Sequence, residues 1–194
     1  FVRQRQMCIR DRMEAARMIA KSGAKPKRTI LFIGFAGEEF GLLGAQAWVK
    51  AHKDKLPKIA NLFNRDGGPE PPVGISVPQA MYDDFVKISE PIQKIRPDYP
   101  FEVKVREPRK RPTRMGGTDA SVFAIEGVPT LGFTTEDFKG YDFDYGEIWH
   151  TERDLYTKNI PEYQEHTATV TAIIALGVAN LDKQLSREGL YTEE

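Results

Sequence analysis

The sequence predicts a three-layer α/β/α domain, a mostly parallel mixed sheet with helices on both faces. Three observations carry that class. Thr29–Ala36 is almost wholly apolar and rich in β-branched and aromatic residues, the pattern of an inner strand covered on both faces. A helix-like run from Leu42 to His52 follows, and Ile59–Asp66 then reads as a shorter strand stopped by Gly67-Gly68-Pro69. Strand, helix and strand at this spacing make a βαβ crossover, which predicts parallel neighbours or near-neighbours. Glu39 and Asp66 then lie at carboxyl ends on one rim, where open α/β sheets place their ligands.

The remaining elements follow in order. Met13, Ala16, Ile19 and Ala20 recur at helical spacing, and Gly23 is a good C-terminal stop. Val73–Val77 suits a short strand, and Gln79–Ile95 a helix with Met81, Phe85, Ile88, Ile92 and Ile95 on one face. Phe101–Val105 alternates like an edge strand, and Thr118 or Asp119 is placed to cap a short helix through Ile125. Gly127–Phe133 reads as a buried strand entered through a proline turn. Thr134–Ile148 is a Gly-, Asp- and Tyr-rich loop of functional length. Glu162–Leu185 is a long closing helix with Val170, Ile173, Ile174, Leu176, Val178 and Leu181 clustered on one side.

Composition excludes some partners. The 194 residues suit one domain, and 28 cationic side chains balance 28 anionic ones. There is no bulk attraction to nucleic acid or to an anionic membrane, and no apolar run is long enough to span a bilayer. The basic, proline-broken stretch Glu107–Arg114 lacks interleaved aromatics and reads as a solvated loop. The single Cys8 cannot form an internal disulfide and leaves the compartment open. Residues 1–12 crowd four arginines without a clear amphipathic period and without the apolar core of a secretory signal. They are read as a non-native or disordered N-terminal segment, with the domain running over 13–194.

The chemistry-bearing residues gather around three points. Glu38 and Glu39 follow the first strand, Asp66 ends the second, and His150 leaves the long loop behind Trp149. A histidine with two carboxylates suits zinc or a similar divalent ion with a position left for water. Glu38, beside a ligand, suits a general base. Taken singly, each has a plainer role: solvated turn residues for the glutamates and Asp66, a surface or packing residue for His150. His52 and His166 are read as packing or surface histidines.

Gly37-Glu38-Glu39-Phe40-Gly41-Leu42-Leu43-Gly44 after an apolar strand, Asp66 at the next strand end, Gly116-Gly117-Thr118-Asp119, Gly127-Val128-Pro129, and His150-Thr151 with Asp154 form an ordered set. From about Met13 to about Leu185 that set resembles the co-catalytic di-zinc exopeptidases, the aminopeptidase and glutamate carboxypeptidase family. The resemblance implies metal-dependent hydrolysis of a terminal peptide bond, most simply by an aminopeptidase, with a peptide as substrate and two zinc ions in the full family site. It matches Glu38 to the general base that activates the water, Glu39 and His150 to terminal ligands of one zinc, and Asp66 to a terminal ligand of the other. It matches Asp119 to an acid near the site and Trp149 to the pocket wall. Relatives of this kind are often secreted or periplasmic.

Two departures qualify the match. The family's upstream His-x-Asp ligands and its zinc-bridging aspartate have no counterpart here, and Ala120 stands where many relatives carry His. The chain therefore reads as the C-terminal part of a catalytic domain, with weak or partial zinc occupancy and impaired turnover expected when it stands alone. Two other classes use a similar scaffold: a glutaminyl cyclase-like zinc acyltransferase, which also carries Trp before the metal histidine, and a non-enzymatic binding domain, which usually loses its ligands. The Gly41–Gly44 continuation after Glu39 favours the peptidase.

Overall fold

The computed structural model describes residues 5–142 and 144–192. The expectation for residues 1–12 falls partly on residues 1–4, outside that range. From Arg5 the backbone is already helical, so the first helix, α1 (Arg5–Lys21), starts well before Met13. Its inward row is Asp11, Ala15 and Ile19, while Met13 faces solvent. These three are four residues apart and so share one face. The small Ala15 lets α1 lie close on the closing helix at Ala172, with Ile30 packed beside them.

The sheet among the described residues has three strands in the order β2-β1-β3. Strand β1 (Pro72–Val77) pairs in parallel with β2 (Glu102–Val105) and antiparallel with β3 (Phe133–Thr135). The predicted edge strand is β2. The predicted strand Gly127–Phe133 is ladder-bonded only from its last residue onward. Helix α2 (Leu43–Ala51) follows the glutamate turn, and α3 (Tyr82–Ile95) buries Phe85, Ile88 and Ile92 as its spacing requires. Ile95, in its last turn, is exposed. Short helices α4 (Ala120–Ile125) and α5 (Tyr145–Ile148) precede the long α6 (Pro161–Asn180).

Helix α6 stops five residues short of Leu185 because the loop before Thr29 occupies its end. The Arg28 N–H donates to Ala179 O and its guanidinium to Leu181 O (2.5 Å), while the Lys27 N–H donates to Asn180 Oδ1. Carbonyls at a helix terminus that find such donors need no further turn.

Two apolar clusters fix the architecture. Ile75 and Val77, on one face of β1, pack in a single cluster with Met81, Phe85, Ile88 and Ile92 and with Val170, Ile174 and Val178 of α6. A second cluster joins Ala45 and Val49 of α2 to Val122 and Phe123 of α4, with Phe35, Ile59 and Leu62 against it. The molecule is thus an α/β domain, a mixed sheet wrapped by helices.

The crossover expectation needs correction. Neither Thr29–Ala36 nor Ile59–Asp66 forms a laddered strand. The first is extended but open, with Leu31 63% exposed. The second meets the 127–133 segment through Leu62 N–H to Pro129 O (2.9 Å) and the Asn61 amide, which bridges both backbone groups of Leu131, without a ladder. Apolar alternation fits a side chain to a sheet, but a ladder needs a neighbour at about 4.8 Å with free backbone groups. The described residues place no such strand beside either segment.

Candidate metal centre

The glutamates ride on a tight turn between the first extended segment and α2. Glu38 O accepts from both Gly41 N (3.0 Å) and Leu42 N (2.8 Å), Gly37 O from Leu43 N, and Ala36 O from Gly44 N (2.8 Å). Leu42 takes a left-handed φ of 60° to complete it. Gly44 has no substitute, since a Cβ there would lie 2.6 Å from Ala36 O and 2.7 Å from Ala36 N. Both neighbours are backbone, so the turn itself would have to open. Gly44→Ala is expected to cost roughly 1–2 kcal/mol and to shift Glu38 and Glu39 together. A lowered urea midpoint, accompanied by weaker zinc binding, checks this.

His150 arrives from a segment far along the sequence, just after α5. Asp144 caps α5 by accepting from Gly146 N (2.7 Å), and Trp149 N–H donates to Tyr145 O. His150 then takes a left-handed φ of 57°, uncommon for non-glycine residues though enriched for histidine, and is braced by its surroundings. Those surroundings are Thr151, whose Oγ1 donates to Glu147 O (2.7 Å), and Glu147, whose carboxylate is held by Lys158 (3.0 Å) and Arg153 (3.7 Å).

The result is a meeting of two predicted residues. His150 Nε2 stands 3.3 Å from Glu39 Oε2, with the side chains 51% and 46% exposed. Zn–N and Zn–O bonds of roughly 2.0–2.2 Å in a tetrahedral site give an N···O edge of roughly 3.3–3.5 Å. The pair therefore has the donor chemistry and the spacing of two zinc ligands, with an open side toward solvent. The Trp149 ring is exposed and tilts over the imidazole at 4.8 Å between centroids.

The other predicted residues are placed as follows. Asp66 is exposed at the end of its segment and does not complete a three-donor set with that pair. Among the described residues no three of His, Cys, Asp and Glu form a group able to hold a metal. Asp119 occupies the N-cap position of α4, but its side chain makes no capping hydrogen bond and its backbone is already helical. His52 stacks on Trp48, with Nδ1 2.9 Å from Trp48 O, and His166 is fully buried in α6, so both are packing residues. Two features went unread in the sequence. One is Arg65, which ties the turn after Asp66. The other is a cavity of about 530 Å³ walled by Tyr141, Ile148, Lys158, Ile160 and Glu162. The length of the Thr134–Ile148 loop was the available signal for the cavity; Arg65, flanked by Asn64 and Asp66, gave no comparable signal.

Comparison with known proteins identifies the family. The pattern of Peptidase family M28 matches residues 7–174. Mouse carboxypeptidase Q is 24% identical over 179 residues, 90% of this chain and 34% of that protein. A probable zinc metalloprotease of Phaeosphaeria nodorum is 44% identical over 54 residues, 28% of this chain and 10% of that protein. A Peptidase M28 precursor from Shewanella amazonensis superposes with a TM-score of 0.71 at 25% identity, covering 93% of this chain and 38% of that one. A zinc aminopeptidase from Bacillus subtilis shares the fold, with a TM-score of 0.60 at 18% identity over 93% of this chain and 42% of that one. The chain thus spans about a third of the length of its carboxypeptidase Q relatives. No helix among the described residues is long and apolar enough to cross a membrane. A match across most of the sequence, on the residues that carry the glutamate turn, establishes that this chain belongs to Peptidase family M28.

Proposed function

We propose that the chain contributes the Glu39–His150 half of a zinc exopeptidase centre that hydrolyses a peptide at its free amino end. The observation that supports it best is the 3.3 Å approach of His150 Nε2 to Glu39 Oε2, two groups far apart in sequence. When bound, zinc lowers the pKa of water to about 7 and polarises a carbonyl. Glu39 and His150 hold the ion, and Asp66 serves a second position. Glu38 takes a proton from the attacking water and passes it to the leaving amine, so the amide nitrogen departs as a neutral amine. Trp149 lines the substrate side. Because the described residues gather two donors rather than three, weak zinc binding and slow turnover are expected of the 194 residues alone.

The test is a near-stoichiometric incubation of the zinc-loaded chain with tripeptides blocked at one end or the other, read by mass spectrometry. Loss of the first residue from the free-amino peptide is expected, and the loss should stop on chelation. Loss of the last residue would instead indicate a carboxypeptidase. Ammonia release with cyclisation of a Gln-initiated peptide would indicate a cyclase. Failure to retain zinc at all would overturn the reading.

A further inference from the structure

We propose that Thr29–Ala36 is a self-association edge, pairing antiparallel with the same segment of a second copy of this chain. From Thr29 to Phe35 no backbone N–H or C=O takes part in a hydrogen bond among the described residues. The segment is nonetheless held between helices. Ile30 packs with Ala15, Ile19 and Ala172, and Phe35 with the cluster of α2 and α4, its ring 5.8 Å from that of Phe123. An odd number of residues apart, these two side chains leave an extended chain on opposite faces. Leu31 and Phe32 between them stay exposed. An apolar edge with unused backbone groups is a template for another strand.

Charge selects the occupant and its direction. Lys25, Lys27 and Arg28 precede the segment, Glu38 and Glu39 follow it, and no charged residue lies between. An edge basic at one end and acidic at the other is complementary to its own reversed copy, whereas a parallel copy would set like charges side by side. The register follows from the same residues. With the two-fold axis at Ile33, Arg28 and Lys27 fall opposite Glu38 and Glu39 of the second copy, and Leu31 falls opposite Phe35. Phe32 falls opposite Gly34, where a Cβ would meet nothing within 4 Å, so its ring has room to cover the glycine. Moving the axis to Phe32 puts Arg28 and Lys27 opposite Ala36 and Gly37 and loses both charge matches. A two-fold contact uses the same patch on both copies and closes as a dimer.

Sedimentation velocity of the 194-residue chain over a range of concentrations, with site-directed cross-linking, decides it. A monomer–dimer equilibrium is expected. Leu31→Lys should weaken it roughly tenfold or more, since an edge lysine opposes strand pairing. Lys27→Glu should weaken it roughly tenfold, because two symmetry-related attractions become repulsions. That second deficit should shrink at about 1 M salt, where the screening length is only about 3 Å. In a Cys8→Ser background, Ile33→Cys should form a disulfide-linked dimer on mild oxidation, as residues facing each other on the axis lie about 4.5–5.5 Å apart at Cα. Ala36→Cys, opposite Ile30 in this register, should not. Leu31 and Lys27 are exposed, so those two variants still decide should Ile33→Cys fail to fold. A monomer at every concentration would overturn the proposal, as would open-ended association. So would a dimer indifferent to Leu31→Lys, or one that cross-links as readily at position 36 as at 33.

Discussion

Glu38→Gln is expected to lower peptide hydrolysis by about 10²–10⁴-fold, the range attributed to a positioned general base, while zinc affinity stays within about twofold of the parent. The amide keeps the volume and hydrogen-bonding reach of the carboxylate but cannot take a proton. Glu38 and Glu39 are adjacent on one turn in which the Ala36, Gly37 and Glu38 carbonyls each accept a backbone N–H, so the isosteric substitution should leave Glu39 in place. The loss should fall on kcat more than on KM, because proton transfer is made in the transition state and not in substrate binding. Single-turnover rates of the zinc-loaded parent and variant measure it. Equal rates would remove Glu38 from the role of base.

The second large effect is a pH dependence hidden by cancellation. Asp11 is buried in α1, and burial pushes its carboxyl up to about 7 although the Arg65 and Arg12 guanidinium groups pull the other way. Unfolded, the same group ionises near 3.8. Between those values the folded state keeps a proton that the unfolded state has released, so this group's contribution to stability falls as pH rises. His166 does the reverse. It lies fully buried between Tyr99, whose ring stacks on it at 4.0 Å, and Pro72 O, which is 3.0 Å from Nε2. Its Nδ1 has no hydrogen-bond partner among the described residues, so protonation would bury an unsatisfied donor. Burial lowers it from 6.5 to about 4 despite the Pro72 carbonyl. Between those values the unfolded state binds the extra proton, and stability falls as pH drops.

From pH 7 to pH 5 the two contributions oppose each other, each on the order of 2 kcal/mol. The parent chain is therefore expected to show a nearly flat stability across this window. Asp11→Asn should make it less stable at pH 5 than at pH 7, and His166→Gln should make it more stable at pH 5. Only the slopes matter, since each substitution also changes packing. Urea midpoints of the three proteins at both pH values give the answer. Variants as flat as the parent would mean that neither group is held in its shifted state.

What was legible in the sequence were the features that side-chain chemistry dictates locally. The 3.6-residue spacing of Phe85, Ile88 and Ile92 gave the buried face of α3, and Val170, Ile174 and Val178 gave that of α6. The Gly37–Gly44 pattern located the glutamate turn because only glycine fits against Ala36 at position 44. Illegible were features decided by a distant partner. Leu31 and Phe32 are apolar as an inner strand requires, yet no neighbour completes a ladder with them among the described residues. The end of α6 at Asn180 was set by Arg28, far away in sequence, and not by any stop signal in the helix. The left-handed backbone of Leu42 has no sequence code, because leucine does not favour it, and histidine's enrichment there is too weak to have signalled His150. His150 and Glu39 could be joined beforehand only through the order of the motifs, which says nothing of a distance.

The most direct test of the shared Glu39–His150 site is X-ray absorption at the zinc edge of the zinc-loaded chain. One imidazole nitrogen among oxygen donors at roughly 2.0–2.2 Å is predicted, with the imidazole signature lost in His150→Ala and the bound zinc sharply reduced in Glu39→Gln. An unchanged spectrum and unchanged zinc content in both variants would contradict it.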